Sequence, residues 1–291
     1  MRRRFPRNSR ICYFVGMQTK NQFTVRYERP TESSVKLSIR NTTSRHSARI
    51  EGPYCKNGRT LRSTVQFESH QDQLTCQLID PVFWSPEFPA YYRVDVFADD
   101  EKIDTQRLGI RKLECSRGSL FFNSRRWVLR AAWSDSLSVD DCQRENVSIV
   151  CDDPSDEFLK QATDSGVFVV VNLEEFDDWK ERMEHLSRFP CIGMFVLDNT
   201  IVDVPRTNQL LAHRFPPHDA TPASWAHVLM SEYSEFNDES KASVSHPLVC
   251  YRSISGEPMT RAACDGLQRD LAPEFDLAGY VVKDEVTNEN G

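Results

Sequence analysis

Two kinds of hydrophobic pattern divide this chain, and the switch between them limits the fold more than any other feature. Up to about Glu114 apolar residues alternate with polar ones. Val35, Leu37 and Ile39 are separated by Lys36 and Ser38; Leu74, Cys76 and Leu78 by Thr75 and Gln77; Val94 and Val96 by Asp95. Successive side chains of a strand point to opposite faces, so this alternation predicts strands with one face in a core and one in water. Turn signals at Lys56-Asn57-Gly58 and Asp99-Asp100 break the runs. The expected product is an antiparallel β-sandwich of about a hundred residues.

Beyond that point continuous apolar runs alternate with amphipathic stretches, the pattern of β/α units around a parallel sheet. Predicted strands begin at Val128-Leu129 and include 147–150, 167–171, 192–197, 209–214, 226–230, 247–252 and 278–282. Asp153-Pro154 offers a helix N-cap and first-turn proline ahead of Phe158, Leu159 and Ala162, with Gly166 as the stop. Phe176, Trp179, Met183 and Leu186 share one helical face, and Ala263, Leu267 and Leu271 another. A complete eight-unit barrel usually takes about 250 residues. Only the part from Gly118 onward is available, so a barrel here must be shortened, with outer helices short or missing.

Charge follows the same division. Residues 1–130 carry 24 Lys and Arg against 13 Asp and Glu, whereas residues 131–291 carry 12 against 30. An acidic second half speaks against nucleic-acid binding there. The basic residues of the first half are interleaved with polar and acidic ones, as on a solvated surface. Nine cysteines without a C-x-x-C pair or zinc-type histidine spacing predict free thiols in a reducing compartment, with no metal and no cofactor. The basic start MRRRFPRNSR precedes an apolar run too short for a secretory leader, and no stretch is long enough to span a membrane. A cytoplasmic protein is expected.

One segment carries more than a pattern. Pro81-Val82-Phe83-Trp84-Ser85-Pro86-Glu87-Phe88-Pro89-Ala90-Tyr91-Tyr92 resembles the "LWSPE-x-P-x-LY" segment of glycoside hydrolase family 2. Asp104 and Leu108-Gly109-Ile110-Arg111 stand where that family has an Asp and a "fGfR" run. Gly118 to Ser124 and Trp127 to Ala131 resemble the family's next motif. The resemblance implies an immunoglobulin-like β-sandwich followed by a TIM-like (β/α) barrel. It divides the chain into a basic tail (1–19), the sandwich (20–115), a degenerate barrel (116–285) and a C-terminal tail (286–291).

Glycosidic cleavage ordinarily needs two carboxyl groups flanking the bond, and a barrel presents them at the C-terminal ends of its strands. The family's acid/base segment "hPSi-x-x-WSlgNE" resembles Pro190 to Thr200; Asn199 matches its asparagine, and Thr200 stands where the glutamate belongs. A threonine hydroxyl cannot supply a proton at neutral pH as a carboxylic acid can. In two further matched segments Ile149 and Asp152 replace an arginine and a histidine, and Asn172 replaces a glutamate. Met230-Ser231-Glu232-Tyr233 resembles the family's nucleophile segment, although Glu232 follows Asn199 too closely. Asp284 and Glu285 are weaker candidates still.

Three readings remain open. In the first the chain is a family 2-like protein without catalysis that binds carbohydrate or a protein partner at its strand ends. Trp133, Asp135, Asp152, Asn172, Asp198 and Asn199 are then the candidate ligands' contacts, with carboxylates bonding hydroxyls and the indole stacking on a sugar. In the second it is a hydrolase with a relocated carboxylate, Asp198 or Glu232. In the third it is a scaffold without a ligand.

Overall fold

The computed structural model describes residues 23–214, 222–235, 246–255 and 259–284; both predicted tails and Glu285 lie outside them. The alternating region forms eight strands: β1 (Val25–Tyr27), β2 (Ser34–Arg40), β3 (His46–Tyr54), β4 (Ser63–Gln66), β5 (Glu68–His70), β6 (Gln73–Ile79), β7 (Tyr91–Ala98) and β8 (Glu101–Leu108). They make two antiparallel four-stranded sheets, ordered β1-β2-β6-β5 and β4-β3-β7-β8. Val35, Leu37 and Ile39 of β2 share one buried core with Leu74, Cys76 and Leu78 of β6, Ile50 of β3, and Val94 and Val96 of β7. Asp99 and Asp100 both take positive φ, 47° and 68°, in the two-residue turn from β7 to β8. That geometry matches the twist of the strands it joins.

Asp95 departs from the expected pattern. Alternation puts it on the watery face of β7, yet it is only 1% exposed. In register it lies opposite Arg49 of β3 and Thr105 of β8. The long side chains of Arg49, Arg93 and Lys102 fold over it and close that face.

The Trp-Ser-Pro segment forms the joint with the next layer. Trp84 is fully buried within the barrel's core cluster, and its indole donates to the Thr163 carbonyl at 3.2 Å. A Cβ on Gly109 would lie 2.6 Å from the Pro190 ring, and one on Gly166 would lie 2.2 Å from the Pro86 carbonyl oxygen. The two glycines therefore permit backbone approaches that a side chain would block. A three-stranded meander follows, of β9 (Leu113–Ser116), β10 (Ser119–Phe122) and β11 (Arg125–Trp127). Its Leu120 and Phe122 also enter the barrel core, with Phe122 edge-on to Phe168.

The remainder is a closed barrel of eight parallel strands. In chain order its elements are β12 (Leu129–Trp133), α1 (Val139–Glu145), β13 (Ser148–Cys151), α2 (Asp156–Ser165), β14 (Val169–Asn172), α3 (Trp179–Leu186), β15 (Ile192–Val196), β16 (Leu210–Arg214), β17 (Val228–Glu232), β18 (Leu248–Ile254), α4 (Arg261–Leu271) and β19 (Gly279–Asp284). β12 pairs with β19 to complete the ring. All eight predicted strands are present.

The helices differ more from expectation. Ser155, not Asp153, caps α2: its hydroxyl accepts from the Phe158 N–H at 3.2 Å, and Asp153 instead pairs with Arg182 of α3 at 2.6 Å. Pro154 sits just outside the helix, where its fixed φ sets the entry. Gly166 ends α2 in the left-handed conformation, as predicted. α3 starts at Trp179, leaving Phe176 in the preceding turn, packed against the barrel core and under the Arg182 guanidinium at 4.1 Å. Among the described residues no α-helix follows β15, β16 or β17. Between β16 and β17 the described part of the connection carries Trp225. Trp225 donates from its indole to the Ile201 carbonyl at 2.6 Å and meets the buried His213 of β16 edge-on at 5.6 Å.

Candidate binding site at the strand ends

Each barrel strand ends in, or reaches within two residues, a polar residue at the C-terminal rim, and several of the rim side chains bond one another. The Asp135 carboxylate, after β12, accepts from the Asp152 backbone N–H at 3.0 Å. The Asp152 carboxylate, after β13, accepts from the Asn172 side-chain amide at 3.1 Å. The Asn172 carbonyl oxygen, closing β14, accepts from the Glu174 backbone N–H at 3.4 Å. Glu174 pairs with Arg214 of β16 at 2.6 Å. Arg214 bonds Tyr251 of β18. Tyr251 meets Trp133 of β12 edge-on at 5.6 Å, and the Lys283 ammonium of β19 lies 4.2 Å above the same indole. The contacts thus run almost round the mouth.

Electrostatics separates the carboxyls. Burial raises the Glu174 carboxyl above its usual range; Arg214 opposes this, while Asp198 and Glu175 add to it. Asp198, after β15, moves the other way. It accepts the Thr200 hydroxyl at 2.6 Å and the Thr200 N–H at 2.7 Å, and these bonds hold it below the ordinary carboxylate range. It stays ionised at neutral pH.

The structure thus brings Trp133, Asp135, Asp152 and Asn172 together. Asp198 stands beside them with its own threonine partner, and Asn199 is exposed on the loop beyond. Glu232 closes β17, half-buried and in register with Tyr251. Trp133 is 6% exposed and covered by Lys283, so it walls the mouth and presents no open face for stacking. Sequence reasoning missed Glu174, Arg214, Tyr251 and Lys283. Arg214 ends and Lys283 follows a predicted strand, where a polar residue after an apolar run was the available signal; Tyr251 lies inside one, and Glu174 lies in a loop without periodicity. Among the described residues no group of three or more His, Cys, Asp or Glu side chains could hold a metal ion. None of their helices is long and apolar enough to cross a membrane.

No protein-family model matches the sequence, and neither does any curated protein. Solved structures do resemble it. A Ruminococcus gnavus β-glucuronidase superposes with a TM-score of 0.63 at 10% identity, over 89% of this chain and 60% of its own. A β-D-glucuronidase of Dictyoglomus thermophilum gives 0.59 at 14%, over 90% and 61%. A glycosyl hydrolase family 2 member from Bacteroides cellulosilyticus gives 0.58 at 13%, over 90% and 45%. This chain therefore spans about 60% or less of these three relatives. Across that span, sandwich and barrel together have the fold of glycoside hydrolase family 2.

Proposed function

We propose that this protein is a glycosidase-fold binding protein without catalysis, which takes a carbohydrate at the barrel mouth. The carrying observation is the Asp198–Thr200 pair. The position that resembles the family's acid/base holds a threonine, and its hydroxyl donates to the Asp198 carboxylate. An aspartate held ionised in this way cannot protonate a leaving group at neutral pH. Asp135, Asp152, Asn172 and Arg214 retain the acceptors and donors that sugar hydroxyls use. One Ruminococcus gnavus neighbour is a β-glucuronidase in complex with C6-substituted uronic isofagomine, which supports a carbohydrate as the ligand class.

A second reading has one observation in its favour. Glu174 is a carboxyl raised by burial, the property a general acid needs. Hydrolysis of a panel of aryl β-glycosides separates the two. No turnover is expected from the parent protein, and titration with the matching free sugars should show binding that Asp152→Ala weakens about tenfold, a typical loss for a hydrogen bond to a charged group. Turnover that Glu174→Gln, Glu232→Gln or Asp198→Asn abolishes would sink the non-catalytic reading and identify the relocated carboxylate.

A further inference from the structure

The cleft between sandwich and barrel has features that the strand-end site leaves unexplained. A cavity of about 280 Å³ opens there, walled by β1 and β8 on one side and by α3 with the segments leading into β15 and β16 on the other. Those segments precede their strands, so the cavity lies away from the C-terminal rim. Six of its lining side chains are cationic and only two, Glu181 and Glu184, are anionic. Two of the six are neutralised, Arg107 by Asp164 at 2.7 Å and Arg188 by Asp104 at 2.8 Å.

Arg111 is the unusual one. It is 3% exposed. Its Nη1 donates to the Pro190 carbonyl, and its guanidinium lies 5.8 Å from the Trp84 ring. Its Nε is buried with no partner among the described residues, and none of their carboxylates pairs with it. Burying a charge without a counter-ion is costly, so such a group is ordinarily matched by an anion. The guanidinium edge formed by Nε and Nη2 is the one that grips a carboxylate or phosphate with two parallel bonds. Arg26, Lys180 and Arg206 add positive charge around the same cavity.

We propose that this cleft is a second binding site, in which Arg111 holds the oxyanion group, phosphate or carboxylate, of a small molecule. Calorimetric titration of the full chain with inorganic phosphate and, separately, with succinate tests it, at constant ionic strength with chloride as the blank. Saturable binding of at least one anion is expected. Arg111→Lys keeps the charge but loses the fork, and should weaken it about tenfold. The rim variant Arg26→Ala/Arg206→Ala should weaken it about threefold; it carries the test if the Arg111 variant does not fold. Saturation by phosphate alone, or by succinate alone, assigns the chemical source. No saturable heat from either anion, or unchanged affinity in the rim variant, would overturn the proposal.

Discussion

Trp84→Ala is expected to destabilise the folded chain by about 4 kcal/mol, within the range for emptying a fully buried tryptophan site. Two losses combine. The indole fills the junction where Phe122 meets it edge-on at 6.3 Å and where the barrel core begins. Its N–H also satisfies the Thr163 carbonyl, in the last turn of α2, where a helix has no acceptor-side partner of its own. Trp84→Phe keeps most of the volume and loses the bond, so it should cost about 1–2 kcal/mol. Guanidinium unfolding of the three proteins reads both numbers. Because the residue joins sandwich to barrel, fluorescence of the barrel tryptophans and far-ultraviolet dichroism should both shift to lower denaturant. A cost below about 1 kcal/mol for the alanine variant would mean the cavity collapses and Trp84 is not the wedge. Gly166→Ala tests the same joint from the other side. It forces a side chain onto a left-handed backbone, φ 77°, and into the Pro86 carbonyl.

The strands were legible for a physical reason. Parallel barrel strands are buried on both faces, so they appear as unbroken apolar runs such as Val169-Val170-Val171, and sandwich strands as alternation. Helix starts were less legible because a cap depends on one side chain's rotamer. Asp153 and Ser155 are both good caps by type, and the structure gives the Phe158 N–H to Ser155 while Asp153 pairs with Arg182. The site was legible in part. Asp135, Asp152 and Asn172 fell on strand ends that motif spacing located. Glu174 and Arg214 find each other across β15, a contact between residues forty positions apart that no local pattern encodes. The same limit applies to Asp95, whose burial depends on side chains from three strands.

Stranding Asp95 should give the second large effect. Burial works to raise its carboxyl, but a hydrogen bond from Thr105 at 2.8 Å, bonds from Arg49 and the charges of Arg93 and Lys102 outweigh it, so it titrates below the usual range. A carboxyl depressed in the folded state contributes stability above its unfolded pKa of about 3.9 and loses it as pH falls through the folded value. Arg49→Met/Arg93→Met removes two partners and leaves the carboxylate 1% exposed with only Thr105 and a lysine 4.0 Å away. The expected cost at pH 7 is about 3 kcal/mol, the low end for an uncompensated buried charge. The low end applies because Arg49 and Arg93 are 41% and 38% exposed and already screened by water. The sign of the pH effect then reverses for that carboxyl. With burial less opposed, its folded pKa rises, so the variant loses stability as pH rises and recovers as pH falls. Urea unfolding from pH 7 to pH 3 should therefore show the gap between parent and variant narrowing steadily. Adding Asp95→Val to the double variant should restore most of the loss at pH 7, since an apolar side chain suits a strand interior closed by methionines. A gap that stays constant with pH would show that the arginines act by packing alone.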